Sequence, residues 1–192
     1  MADPTLNGLN LGKLQTIGNE KNANIVPLPI PTEDSNETEV FDMLGVVRTI
    51  ALGGVFVGTL AVADSGTTTG TTADKLVDSG QNFTSTVSVG DIVKNTTDTT
   101  YASVTAVSDT QLSLSADIMV SGEAYEVGGL PNKVEAIESL CDGSQDEVVT
   151  LATDEIGSYT VMVASISTNW DVAGISNRCT YRIICIQGKA VS

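Results

Sequence analysis

The chain is strand-forming from residue 46 to residue 58, where it reads Val46-Val-Arg-Thr-Ile-Ala-Leu-Gly-Gly-Val-Phe-Val-Gly58. β-Branched residues dominate this stretch, and no helix-capping residue precedes it. The pair Gly53-Gly54 inside it indicates a bulge or a sharp bend, because glycine weakens a regular strand. The stretch therefore predicts either two short strands or one long bent strand.

Beyond this strand, the sequence indicates a separate small β-structure. It opens near the low-complexity run Gly66-Thr-Thr-Thr-Gly-Thr-Thr72 and ends at Gly128-Gly129. Between these two points, short segments alternate apolar with small or polar residues, and turn-forming pairs such as Gly90-Asp91 and Ser108-Asp109 separate them. Strands at intervals of about ten residues with such turns are typical of an antiparallel barrel or sandwich. We therefore predict that residues 64–128 form a small all-β insert.

One helix and three further strands follow the insert. The helix is predicted to begin at Pro131, which suits a first turn, and to end before Gly143, which suits a position just past a helix. Its apolar stripe consists of Val134, Ile137, Leu140 and Cys141. The strands are expected at residues 147–153, 158–167 and 179–187. Together with the strands before the insert, they predict a mainly β host domain, an antiparallel β-sandwich with one helix, formed by residues 40–63 and 129–192.

Residues 1–39 differ from the rest of the chain in composition. Four of the five prolines lie here, and the segment Ile25-Val-Pro-Leu-Pro-Ile-Pro31 places apolar residues between prolines. Proline lacks the N–H group that a sheet requires, so the segment favours an extended arm. An arm of this kind cannot bury its own Ile and Leu side chains. We expect it to lie against its own domain or across a neighbouring subunit; a disordered leader is the alternative.

The chain is strongly acidic. Its 192 residues include 9 Lys and Arg against 24 Asp and Glu, which gives a formal net charge of −15. Nucleic-acid phosphates and anionic membranes attract clusters of Lys and Arg, so we expect no direct nucleic-acid binding and no membrane partner. The chain contains no histidine, which excludes Ser-His-Asp and Cys-His catalysis and histidine metal sites.

The three cysteines, Cys141, Cys179 and Cys185, do not form a self-contained disulfide framework, because their number is odd and no CxxC spacing occurs. Cys179 and Cys185 lie in one predicted strand and would be roughly 20 Å apart, which is too far for a bridge. Buried free thiols are favoured over a bridge to Cys141 or between subunits.

Few residues offer reactive chemistry. The run Asp142-Gly-Ser-Gln-Asp-Glu147 resembles half of a calcium loop but lacks its spacing, and it fits a helix end and turn more simply. The adjacent carboxylates Asp154 and Glu155 fall in an expected exposed turn. Trp170 is either a sugar-stacking platform or an anchor in the core or an interface. The sequence therefore predicts no catalytic, cofactor-binding or metal-ligating residue, no cofactor and no enzymatic activity.

Several segments together resemble a known family. They are Glu39-Val-Phe-Asp-Met-Leu-Gly-Val-Val-Arg-Thr-Ile-Ala-Leu-Gly-Gly-Val-Phe56, the helix, Val148-Val-Thr-Leu, Tyr159-Thr-Val-Met-Val-Ala-Ser-Ile and Tyr181-Arg-Ile-Ile-Cys. This succession is similar to that of tail-tube-type and distal-tail-type (baseplate) virion proteins of tailed phages and tailed archaeal viruses. The insert, with Leu76-Val-Asp-Ser-Gly-Gln-Asn-Phe and Val89-Gly-Asp-Ile-Val, is similar to a small β module of phage structural proteins.

The resemblance implies a structural subunit of a viral tail, located in the virion. Such subunits form closed rings with six members and contact other tail or baseplate proteins. The insert would face outward, and no catalytic residues accompany the family. β edges and an apolar arm fit the same role, because strands added across subunits remove exposed edges. The alternative function is an adhesion module of a virion or secreted protein that binds a host-surface glycan through the insert.

Overall fold

The structure is a computed structural model that describes residues 3–29, 38–141, 148–171 and 177–188. These residues form one α-helix and fourteen strands, and the predicted mainly β architecture with one helix is confirmed. In chain order the elements are β1 (Thr5–Leu6), β2 (Leu9–Asn10), β3 (Lys13–Pro29), β4 (Thr38–Val57), β5 (Asp64–Thr67), β6 (Gly70–Thr72), β7 (Lys75–Val77), β8 (Ile92–Asn95), β9 (Thr100–Val107), β10 (Gln111–Leu114), β11 (Ala124–Val127), α1 (Leu130–Glu138), β12 (Val149–Thr153), β13 (Gly157–Trp170) and β14 (Arg178–Gln187).

Seven of the strands form one antiparallel sheet, which we call the first sheet. Its order is β2-β1-β12-β13-β14-β4-β3, so residues from both ends of the chain meet in it. Val46–Val57 lie in one long strand, β4, which is the second of the two expected alternatives. A bulge was expected at Gly53-Gly54 of β4. The register shift lies instead on the facing strand, between Leu14 and Thr16 of β3, which pair with these two glycines.

The other seven strands form a closed barrel. The order is β5-β11-β8-β9-β10-β7-β6, and β5 and β6, at the two ends of this order, are separated in sequence only by Thr68 and Thr69. The chain passes from β5, which pairs with β11, through Thr68 and Thr69 into β6, which pairs with β7. This one continuous segment joins the two ends of the strand order and closes the barrel, without a described pairing of β5 with β6. Its interior holds Phe83 and Tyr125, and the Tyr125 hydroxyl donates a hydrogen bond to Asp78 over 2.8 Å. The barrel strands span Asp64–Val127, inside the range expected for the insert; whether this range folds alone stays a prediction.

Residues 1–39 are expected to form an extended arm that lies against its own domain or across a neighbouring subunit. The structure places their described part largely within the first sheet, as β1, β2 and β3. The register of β3 runs opposite β4 from Lys13 to Pro29, so the backbone groups on the side of β3 that faces β4 find partners within the chain. The boundary expected between residues 39 and 40 falls inside β4.

The helix covers the inner face of the first sheet. Helix α1 has Pro131 in its first turn, as expected, ends at Glu138 and continues as a 3₁₀ turn over Ser139–Cys141. Val134 and Ile137 of the predicted stripe are buried in the core of the first sheet, whereas Cys141 is exposed. Cys179 and Cys185 are buried free thiols in this core. Gly143 lies outside the described residues.

An aromatic pair fixes the centre of this core. The rings of Phe56 and Tyr181 stack with centroids 4.4 Å apart, and the Tyr181 hydroxyl donates a 2.7 Å hydrogen bond to the Leu11 carbonyl. Gly54 lies directly opposite Tyr181 in the β4–β14 register. A Cβ atom at Gly54 would overlap the Tyr181 ring, because it would lie only 2.9 Å from the Cε1 atom of Tyr181. The absence of a side chain at residue 54 therefore lets Tyr181 reach across to the β2–β3 connection.

We expect Gly54→Ala to lower the free energy of unfolding by about 1–3 kcal/mol, because the added methyl group forces the Tyr181 ring out of its packed position. The matched control is Gly58→Ala, where the nearest atom to the new Cβ, that of Leu130, is 4.0 Å away. This control should stay within about 0.5 kcal/mol of the wild type. Urea unfolding followed by circular dichroism measures both, and equal losses would contradict the role given to Gly54.

Candidate functional site: the unpaired strand edges

The barrel and the short edge of the first sheet leave few backbone groups open to a partner. The barrel is closed, so it presents no full edge strand. At the β2 edge of the first sheet the strand has only two residues and lies beside β9 of the barrel. The Asn10 N–H there donates to the Ser103 hydroxyl over 2.9 Å. Neither region resembles a surface built for strand addition.

Strand β3 forms the opposite edge of the first sheet and is long. It has 17 residues, and within the described part of the chain no strand pairs with its outer side. Pro27 and Pro29 lie at its far end, where they lack N–H groups, as is common in edge strands. An unpaired edge of this length is a template for another strand.

Strand β4 also has an unpaired side, over its first half. β14 pairs with β4 only from Thr49 to Val57, whereas β3 pairs with β4 as far as Thr38. Residues 21–29 and 38–48 therefore form a two-stranded segment, which we call the ribbon, that extends beyond β14. Eleven residues of strand span roughly 36 Å. Because two strands alone are marginally stable in water, a ribbon of this kind needs a further contact.

Apolar and cationic side chains surround the point where the ribbon leaves the sheet. Val46 and Val47 are 55% and 49% exposed. Next to them, the guanidinium carbon of Arg48 lies 4.7 Å from the centre of the Tyr159 ring, and its buried Nε has no hydrogen-bond acceptor among the described residues. Lys21 is directly opposite Arg48 in the register. Two like charges in one cross-strand pair are unfavourable, which is unexpected in a chain of net charge −15.

A second group of contacts joins the barrel to the first sheet. Lys94 of β8 forms an ion pair of 2.5 Å with Glu135 of α1, and the Tyr101 hydroxyl donates to the same carboxylate over 3.2 Å. Ile92 of the barrel is 1% exposed and belongs to the core of the first sheet. The hydrogen bond from Lys94 holds the pKa of Glu135 below its ordinary value and raises the pKa of Lys94. Within the described residues, the barrel is thus attached by packing, by hydrogen bonds and by one ion pair.

The ion pair should make a small, pH-dependent contribution to stability. Because the pKa of Glu135 is lower in the folded state, its stabilisation is present above the ordinary carboxyl pKa and is lost as the pH falls below it. The side chain is 46% exposed, so solvent screening keeps the contribution below about 1 kcal/mol. We expect Glu135→Gln to flatten the acid side of the stability–pH curve. Glu155→Gln, in the exposed turn after β12, should leave it unchanged; equal curves for both variants would contradict the assignment.

The groups singled out from the sequence do not converge on a reactive centre. Trp170 packs against the core of the first sheet, as an anchor would. Asp154 and Glu155 are exposed in the turn between β12 and β13. The run 142–147 lies outside the described residues. Among the described residues, no group of His, Cys, Asp or Glu is placed to hold a metal ion, and no helix is long and apolar enough to cross a membrane.

Sequence reasoning did not identify the ribbon. The prolines around Ile25 were interpreted as marking an arm, but apolar residues also precede Arg48 in Val40-Phe-Asp-Met-Leu44. Two apolar strand-like segments on either side of a short polar segment are the pattern of a hairpin. The sequence therefore contained a hairpin signal. It could not show how far the ribbon extends beyond β14, because that length depends on where β14 ends.

No family model matches the chain, and no curated protein sequence matches it. Among solved structures, a chain described as the tail of an empty GTA particle, computed with helical refinement and C6 symmetry, aligns over 95% of this chain and 83% of that chain. The aligned residues are 10% identical, and the TM-score is 0.38. At these values the likeness carries no functional argument.

Proposed function

We propose that the chain is a structural subunit of a viral tail that assembles with copies of itself by strand addition at the ribbon. The observation that carries this proposal is the ribbon's pairing: residues 38–48 of β4 have a strand on one side only, and β3 has none on its outer side, within the part of the chain that is described. Copies of the same chain offer the missing strands.

The position of the two free edges favours a ring. The outer side of β3 and the first half of β4 lie on opposite sides of the ribbon. When different surfaces of identical subunits meet, the contact is head-to-tail, and it closes into a ring if the rotation between subunits allows. A contact of β3 with β3 would instead give a two-fold dimer. The exposed Val46 and Val47 would be covered at such a contact.

The particle is proposed from the sequence. The segments around Arg48, Tyr159 and Tyr181 resemble tail-tube-type and distal-tail-type proteins, and this resemblance implies a tube or baseplate ring with six members, in contact with other tail proteins. We propose that the chain is not an enzyme, and that the barrel faces outward from the ring. The barrel fits that position, because its end strands, β5 and β6, have only four and three residues and offer little edge with which to recruit further copies.

The experiment that tests the proposal is sedimentation velocity of the full chain over a range of concentrations, with negative-stain microscopy of the largest species. We expect a concentration-dependent shift to a single closed oligomer that appears as a ring with a central hole. A monomer at every concentration would refute assembly, and a dimer that grows no further would refute the head-to-tail contact.

We expect Val47→Asp to weaken assembly at least about tenfold, because the variant replaces an apolar contact with a charge that must lose water at the interface. The monomer should lose less than about 0.5 kcal/mol, since Val47 is already exposed in it. The matched control is Val89→Asp on the barrel, where the valine is 66% exposed. Sedimentation compares the two variants; if Val89→Asp weakens assembly as much, the ribbon is not the contact.

A further inference from the structure

A cleft of about 670 Å³ lies between the barrel and the first sheet, away from the ribbon. Its walls come from five parts of the chain: the turn between β1 and β2, the segment from the end of the β8–β9 turn into β9, the residues after β10, the end of α1 and Thr150 of β12. Its volume falls within the range of roughly 300–1,000 Å³ that small-molecule sites occupy. The function proposed above makes no use of this cleft.

The lining of the cleft is uncharged and rich in hydrogen-bonding groups. None of the residues that line it carries a charge, although the chain has a net charge of −15. Hydroxyl and amide side chains come from both walls: Asn7, Thr150 and Ser139 from the first sheet and helix, and Thr99, Thr100, Tyr101 and Ser115 from the barrel. Leu9, Ile118 and Leu140 supply apolar surface between them. A neutral ligand suits this lining, since the acidic surroundings repel anions and no lining residue offers a cation a carboxylate.

Part of this polar lining is fixed, and part is available. The Tyr101 hydroxyl is held by Glu135, the Ser139 hydroxyl donates to the Ala136 carbonyl over 2.8 Å, and the Ser115 hydroxyl accepts from the Ser103 N–H over 3.0 Å. The side chains of Asn7, Thr99, Thr100 and Thr150 form no hydrogen bond with another described residue. A rigid wall with spare donors and acceptors suits a ligand that carries many hydroxyl groups.

The backbone of the cleft also has an unusual conformation. Thr99, in the β8–β9 turn, has a positive φ of 59°, whereas the positive φ of Asn7, 52°, is what the two-residue Asn7-Gly8 hairpin turn requires. For a β-branched residue such as Thr99 this conformation is a true outlier, which the surrounding structure must hold in place. Residues of this kind cluster at functional sites, where the strain fixes the direction of a side chain.

We propose that the cleft binds a short neutral oligosaccharide. Sugars combine many hydroxyl groups with apolar ring faces, and the cleft offers spare hydroxyl and amide groups beside Leu9, Leu140 and the Tyr101 ring. The site differs from the one expected from the sequence in that the barrel alone does not form it: the β1–β2 turn, the helix end and Thr150 of β12 contribute half of its lining residues. Binding here is separate from assembly, because the ribbon contributes no residue to the cleft.

The experiment is titration calorimetry of the full chain with four probes: maltotriose, chitotriose, mannotriose and, as the acidic comparison, sialyllactose. Two variants accompany the wild type. Ala116→Arg places a long charged side chain in the cleft, and the matched control Val120→Arg places it in the same loop at a residue that is 51% exposed and not part of the lining. Circular dichroism confirms that both variants fold.

We expect a neutral probe to bind with a dissociation constant of about 1 mM or tighter, Ala116→Arg to weaken it at least about tenfold, and Val120→Arg to match the wild type. The proposal is overturned if no neutral probe binds, if sialyllactose alone binds, or if the two variants behave alike. Ring assembly, measured by sedimentation, is an independent result, so either proposal can fail without the other.

Discussion

Every strand at the end of a sheet has backbone N–H and C=O groups that require partners, and this requirement organises the molecule. The barrel meets it by closing on itself through β5 and β6, and the short edge at β2 lies against the barrel. The requirement is unmet, within the described residues, along β3 and along residues 38–48 of β4. The surface that remains for association therefore consists of the strand sides that have no partner within the described residues.

Packing in the first sheet makes this arrangement possible. The ribbon continues β3 and β4, whose inner residues Ile50, Leu52 and Phe56 are buried under α1. The Phe56–Tyr181 stack and the hydrogen bond to Leu11 hold β4, β14 and the β2–β3 connection together, and Gly54 leaves the space that they need. A rigid base fixes the direction of the ribbon, so that ordering it at an interface costs less conformational entropy. The ion pair of Lys94 with Glu135 and the burial of Ile92 hold the barrel in place beside this base.

The sequence predicted the class of fold and most of the element types, because local signals determine both. Proline marked the first turn of the helix, and the alternating segments from residue 75 onward matched the barrel strands β7 to β11, whereas β5 and β6 lie around the Thr/Gly run interpreted as a boundary. The prolines led to the prediction of an extended arm for residues 1–39. The pairing of Lys13–Pro29 with β4 was not predicted, because it depends on contacts between residues that are distant in the sequence. The cleft was not predictable from the sequence, since its walls come from five parts of the chain that only the fold brings together.

Hydrogen–deuterium exchange of the full chain, compared between a dilute and a concentrated sample, tests the central claim most directly. The account predicts that assembly slows exchange at least about tenfold for amides of residues 13–29 and 38–48, as new strand partners form there, and leaves the barrel strands β8 and β9 unchanged. Protection that appears on the barrel instead, or a ribbon that exchanges equally fast in both samples, would contradict it.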